Sequence, residues 1–311
     1  AHGGNIAIGR YALLTQDAGT DAYNVAIGFE AGKAVTTGVE NTIIGGLAGD
    51  ALTTGVRNTV VGYAALSQED AHGANVAIGY AALSAQNAGA DAFNTAVGYN
   101  SGIAVTTGIQ NTLIGALAGD ALTTGIRNVA IGYEALTTED THHYNVAIGY
   151  RSLQNQNAGA NAYNVAIGAD AGRTTTTGVQ NTLIGGNAGD ALTTGSNNIA
   201  IGYLALSAED AHGKNIAIGV NALAVQNAGA DAYNVAVGYN SGNAITTGLY
   251  NTVLGGEALL TNVDGDKNTA IGFRALKTFE ANSDGHGKNV ALGANALENS
   301  STGTENTALG T

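Results

Sequence analysis

Cysteine, proline, methionine and tryptophan are all absent from the 311 residues. Without cysteine there is no disulfide and no thiolate metal centre, and the redox compartment leaves no imprint. Without proline every backbone N–H is available to donate, as a chain made almost wholly of sheet ladders requires. Aromatic residues are 5% and charged residues 11%. That scarcity excludes a thick core of large side chains, and the low charge with abundant branched residues excludes disorder. No run of 18 apolar residues is present to span a bilayer as a helix, so membrane insertion is not expected. Eleven basic residues against 24 acidic give a net charge of −13. Such a chain has no cationic stripe for phosphates, so neither nucleic acid nor an anionic membrane surface is an expected partner. The acidity suits the solubility of a repetitive β-structure.

Catalytic signatures are missing as well. There is no Gly-x-Ser-x-Gly, P-loop, His-Glu-x-x-His or post-strand Gly-x-Gly-x-x-Gly. Carboxylates such as Asp50, Asp120 and Asp190 recur as copies, whereas an active site is one asymmetric constellation. The expectation is a non-enzyme with no catalytic residues, no cofactor and no assigned metal site.

What is present is periodicity. Asn, three residues, then Gly, with Ile, Val or Leu just before the Gly, occurs eighteen times, from Asn5/Gly9 to Asn306/Gly310. The Asn spacings run 19, 17, 17, 17 three times and then 19, 17, 17, 21, 17, a 70-residue super-repeat. Fixed periods of this size define a solenoid, in which each unit buries its apolar face against its neighbours. The fold expected is therefore all-β: a parallel β-solenoid, or β-roll, of about 18 coils of 17–21 residues, with 1–311 as one elongated segment. At about 4.8 Å per strand such a rod is roughly 85 Å long.

In the type unit Asn75-Val76-Ala77-Ile78-Gly79, apolar and small residues alternate before a Gly bend, as two short strands meeting at a corner do. The Ile column before the Gly is expected to point inward. The mostly Ala column beside it is expected on the opposite face, close to another backbone. Further on, an Ala or Ser column (Ala12, Ala31, Ser101) sits beside a Leu or Gly column (Leu13, Gly32, Gly49, Leu66, Leu83, Gly102). Thr-Thr-Gly or a polar loop closes each turn. The Asn column is expected to form a hydrogen-bonded ladder. Charges are expected to pair between rungs: Glu40 with Arg57, Lys33 with Asp50, Arg173 with Asp190 and Lys288 with Glu305.

Four features compete as sites. Aromatics fall in two columns, one before the Asn (Tyr23, Phe93, Tyr144, Tyr163, Tyr233, Tyr250) and one after the Gly (Phe29, Tyr63, Tyr80, Tyr99, Tyr133, Tyr150, Tyr203, Tyr239, Phe273). They either stack on sugar rings or seal corners and chain interfaces. His2, His72, His142, His212 and His286 occupy equivalent loops, usually behind acids as in Glu69-Asp70-Ala71-His72 and Glu139-Asp140-Thr141-His142, where three chains could join the histidines in a metal-binding ring or solvent could simply surround them. Asp264-Gly265-Asp266-Lys267-Asn268 has a faint calcium-loop look but fails the EF-hand pattern at Thr269 and Ala275. That insertion and Phe279–Asp284 break the monotony and are candidate receptor contacts. Thr-Thr-Gly pairs suggest an ice-binding plane, but they occur only two coils at a time.

The pattern Asn-x-Ala-Ile-Gly-x-x-Ala-Leu, with Thr-Thr-Gly-x-x-Asn-Thr-x-Ile-Gly between units, resembles the β-roll heads of trimeric autotransporter adhesins and the repeats of bacteriophage tail fibres. The resemblance covers the whole chain. It implies a homotrimeric fibre, extracellular, on a cell surface or on a virion, that adheres to a host through a glycan or receptor. The weak burial available to an Ala and Ile coil, at about 25 cal/mol per Å², points to self-assembly as well. Ala1-His2-Gly3-Gly4-Asn5 matches Ala71-His72-Gly73-Ala74-Asn75, and the sequence stops after Gly310 without an atypical cap. A segment of a longer fibre, or a unit that stacks end to end, is expected. The alternatives are an ice-binding solenoid and a purely structural extracellular filament.

Overall fold

The computed structural model describes residues 3–281 and 286–311. His2 and residues 282–284 of the second insertion lie outside the described residues. The chain is an all-β parallel β-solenoid of about 18 turns, with 17 residues in most of them. Two compact units are distinguished, Ala1–Arg151 with Gly159–Asn161, and Ser152–Ala158 with Ala162–Thr311. The first carries the three-residue strands from Ile6–Ile8 to Val146–Ile148, and the second those from Val165–Ile167 to Thr307–Leu309. Within each unit neighbouring strands pair in parallel and in register, so that Val25, Ala26 and Ile27 sit against Thr42, Ile43 and Ile44, and Val165, Ala166 and Ile167 against Thr182, Leu183 and Ile184.

Strands this short need many bends, and the backbone supplies them through left-handed residues. In the coil that starts at Asn58, Gly62 (φ 138°), Ala64 (52°), Leu66 (47°) and Ala74 (58°) all have positive φ. For a residue with a Cβ that conformation costs on the order of 1 kcal/mol. Each bend is held by a hydrogen bond to a neighbouring rung: Gly62 N–H to the Ile44 carbonyl (2.8 Å), Ala64 to Gly46 (3.0 Å), Leu66 to Ala82 (3.0 Å) and Ala74 to Val56 (3.0 Å). The ladders thus continue around the corners, which accounts for the exclusion of proline.

The interior differs from the sequence expectation. The Ile column is not inward: Ile27, Ile44 and Ile78 are half-exposed, while Ala26, Ile43, Val60 and Ala77, one residue earlier, are fully buried. Narrowness is the reason. Leu from the left-handed corner also points inward, and Leu66, Leu83, Leu136 and Leu153 are fully buried, leaving room for little more than Ala opposite them. Where the corner is Gly, large residues come from elsewhere. A Cβ on Gly102 would lie 2.6 Å from Leu113 Cδ1 and 3.1 Å from Leu83 Cδ2. Large and small side chains therefore interlock over the four-coil super-repeat.

A third buried column lies eleven residues after the Asn. It reads Gln16, Val35, Leu52, Glu69, then Gln86, Val105, Leu122, Glu139, then Gln156, Thr175, Leu192, Glu209. From Val35 onward every one of these is buried.

Glycine is mandatory at the strand bend. A Cβ on Gly238 would stand 2.6 Å from the carbonyl carbon and oxygen of Gly255 on the next rung. Gly229, at φ +68°, faces open space. Gly238→Ala should therefore lower the stability measured by urea unfolding by about 3 kcal/mol or more, and Gly229→Ala by about 1 kcal/mol.

Candidate binding face and histidine loops

The buried asparagines form the expected ladder. Asn41 N–H donates to Asn24 Oδ1 (2.8 Å) and Asn58 N–H to Asn41 Oδ1 (2.9 Å), while Asn41 Nδ2 donates to the Gly55 carbonyl (2.9 Å). Asn24, Asn94, Asn164 and Asn234 add an amide bond to the buried Gln of the rung before, at 2.6–2.7 Å. Where that residue is Glu the arrangement loosens: Asn75 Nδ2 and Asn215 Nδ2 have no partner. Most of this capacity serves the backbone and the neighbouring rungs, so the column reads as a structural ladder. Asn41→Ala strips the acceptor from Asn58 and the donor from Gly55 together. A loss of about 3 kcal/mol in urea unfolding is expected.

Outward lies the other face of the strands. Here the half-exposed Ile, Val and Leu column stands beside alternating Val and Thr, with Ile114 36%, Ile167 36% and Leu254 47% exposed. Aromatic columns flank it. Tyr63, Tyr80 and Tyr99 stack on one another with ring centroids 5.6 and 5.4 Å apart, and Tyr133 with Tyr150 and Tyr233 with Tyr250 at 5.7 Å. In these runs Tyr80 has a ring on both faces and each of the other rings has one face against a neighbour, so much of the stacking surface is already occupied. At the end of one run Tyr63 lies over Gly46, where a Cβ would be 3.4 Å from the ring.

Charge pairing follows the rungs in part. Glu40 pairs with Arg57 (2.9 Å) and Lys288 with Glu305 (3.0 Å), as expected. Lys33 instead turns to Glu30 (3.1 Å) on its own coil, and among the described residues no Arg173–Asp190 ion pair forms. Sequence reading missed Lys214–Asp231 (2.6 Å) and the bracketing of Glu257 by Arg274 and Lys277 (2.8 and 2.9 Å). The Asp231 carboxylate and Tyr233 hydroxyl raise Lys214 above the ordinary lysine range, and Lys277 and Arg274 hold Glu257 below the carboxylate range.

The histidine loops contain more than histidine. Glu69, Glu139 and Glu209 are fully buried beneath His72, His142 and His212. Each glutamate caps its loop: Oε1 accepts the backbone N–H of the histidine at 3.1, 3.0 and 3.1 Å. The Nδ1–Oε1 separations are 3.6, 2.9 and 3.8 Å. The sequence marked the histidines and the acids before them; the burial of the glutamates was not legible there.

The remaining candidates dissolve into structure. In the calcium-like loop Asp266 Oδ1 accepts the Leu249 N–H (2.7 Å), Asn262 Oδ1 the Gly265 N–H (3.1 Å), and Asn268 belongs to the ladder. These oxygens serve the backbone, whereas Asp264 Oδ1 is buried without a hydrogen-bond partner. Burial raises the carboxyls of Asp50 and Asp120, but four coils, about 19 Å at strand spacing, separate such copies, so they do not form an acid–base pair. Threonine hydroxyls that an ice plane would need are donated onward, Thr36 Oγ1 to Thr53, Thr53 Oγ1 to Asp70 and Thr54 Oγ1 to Ala71 carbonyls.

No protein-family model matches the chain, and no curated protein matches it.

Burial pushes the Glu209 carboxyl above its ordinary value of 4.5. The folded state then holds that proton more tightly than the unfolded state. Stability contributed by this group falls as pH rises from 4.5 through the raised folded value, and is flat on either side. Glu209→Gln keeps the acceptor for His212 and removes the charge. In chelator-containing buffer the variant should be the more stable protein at pH 7, with the gap closing below pH 4.5; thermal melts across pH measure it.

Proposed function

We propose that the chain is a structural and adhesive fibre segment, displayed outside a bacterial cell or on a phage tail, that assembles as a homotrimer through its strand face. One observation carries this reading: the column of large aliphatic residues lies outside the coil, half-exposed and continuous from rung to rung within each unit. Contiguous apolar surface of this kind belongs to interfaces. Packing three such faces around an axis would cover the aliphatic column and add the burial that a thin Ala and Leu core lacks.

The resemblance to trimeric adhesin heads and tail fibres supports the same assembly and favours display at a cell or virion surface. Adhesion to a host glycan or receptor is part of the proposal, with the stretches Asp264–Asn268 and Phe279–Asp284 as the contacts, because they depart from the repeat. The partial occupation of the tyrosine faces by one another favours these stretches over the stacked tyrosines as glycan contacts. An ice-binding rod is disfavoured by the committed threonine hydroxyls, and a bare structural filament is the alternative if nothing is bound.

Native mass measurement is expected to give three chains. Ile114→Lys with Leu254→Lys should give a monomer that keeps its β circular dichroism, because both side chains point outward. A wild-type monomer would overturn the assembly, and failure of a glycan array and of host cells to retain the trimer would overturn adhesion.

A further inference from the structure

We propose that each Glu-Asp-x-His loop is an intrachain site for a divalent transition ion of the zinc class, ligated by Glu69, Asp70 and His72 and by their copies at 139–142 and 209–212. In all three loops the ligating atoms lie within 4.8 Å of one another. Two ligand atoms on a common ion with bonds near 2.1 Å stand about 3.4 Å apart in tetrahedral geometry. The Nδ1–Oε1 separations of 3.6, 2.9 and 3.8 Å bracket that value.

A second observation is independent of the clustering. Glu209 is fully buried, yet its Oε2 has no hydrogen-bond partner, and the Nδ1 atoms of His72 and His212 are likewise buried and unpartnered. Native proteins rarely leave such groups unsatisfied. The short His142–Glu139 contact is the copy in which the pair closes on itself. A cation between imidazole and carboxylate satisfies both and offsets the cost of a buried negative charge.

The loop is held in place before any ion arrives. The carbonyls of Asp70, Asp140 and Asp210 each accept two backbone N–H groups from the preceding rung, those of Thr53 and Thr54, Thr123 and Thr124, and Thr193 and Thr194. Buried Glu, partly exposed His and a more exposed Asp leave the outer positions open to water. One imidazole with two carboxylates selects a borderline ion over calcium, which demands six or more oxygens.

The molecule contains its own control. His286 occupies the equivalent loop, but buried Phe279 stands where the glutamate would be, and no cluster forms there among the described residues. Three sites per chain are therefore expected, not one for every histidine.

Equilibrium dialysis of the full chain against Zn²⁺, and against Co²⁺ followed by its visible absorption, tests this. The expected result is three ions per chain, a rise in Tm, two ions after His142→Ala and three after His143→Ala or His286→Ala. Combined Asp70→Asn, Asp140→Asn and Asp210→Asn changes more exposed positions, so folding is retained, and should weaken binding at least about tenfold. Absence of saturable uptake at micromolar ion would overturn the proposal, as would uptake unchanged by the aspartate variant. One ion per three chains would overturn it too, by placing the histidines in a ring between copies.

Discussion

Where the Gly column turns each strand, one rung's α-carbon approaches the next rung's carbonyl so closely that no side chain fits between them. This contact sets the vertical alignment of each compact unit. Because the glycines superpose, asparagines four residues earlier superpose, and their amides find the backbone N–H of the following copy. The tyrosines after the bend superpose for the same reason, and so do the left-handed corners whose N–H groups reach the neighbouring rung. Relaxing the spacing at the glycines would cost all of these together, which is why cooperativity in such a stack is vertical and not local.

Much of this was legible without coordinates. A fixed Asn-to-Gly interval has few explanations other than a coil with one invariant bend, and the ladder formed by Asn24, Asn41 and Asn58 follows from stacking like on like. Phase was not legible. Alternation along Val76-Ala77-Ile78 says that two faces exist, but not which is inside, and size suggested Ile. Leu66 and Leu83 reverse that inference because they adopt a backbone conformation that sequence reading reserves for glycine, and from there they fill the interior. Glu69, Glu139 and Glu209 were obscured for a related reason: a charged residue reads as surface unless its column is known to be core. Lys33 chose Glu30 over Asp50 because a partner one helical-type turn away on the same coil is as near as one on the next rung.

The inversion of inside and outside links fold to role. A coil that buries alanine and exposes isoleucine is modest in its own core and rich on one face, which is the face on which the proposed assembly rests. In that proposal the stacked tyrosines form a rim to the face. The proposed binding specificity, by contrast, draws on places that depart from the repeat: the altered loop after Asn262, the 21-residue coil that starts at Asn268, and the histidine loops that recur once in every super-repeat.

The interlocking of Leu83, Gly102 and Leu113 also governs how such a chain can change its length. Excising one coil would set a leucine corner over the wrong partner, opening a void on one rung and a collision on another. Removing or duplicating 70 residues among the regular coils restores the same interlocking. Recombination between copies is therefore best tolerated in quanta of four coils, and a lineage that lengthens or shortens this array should do so in those steps.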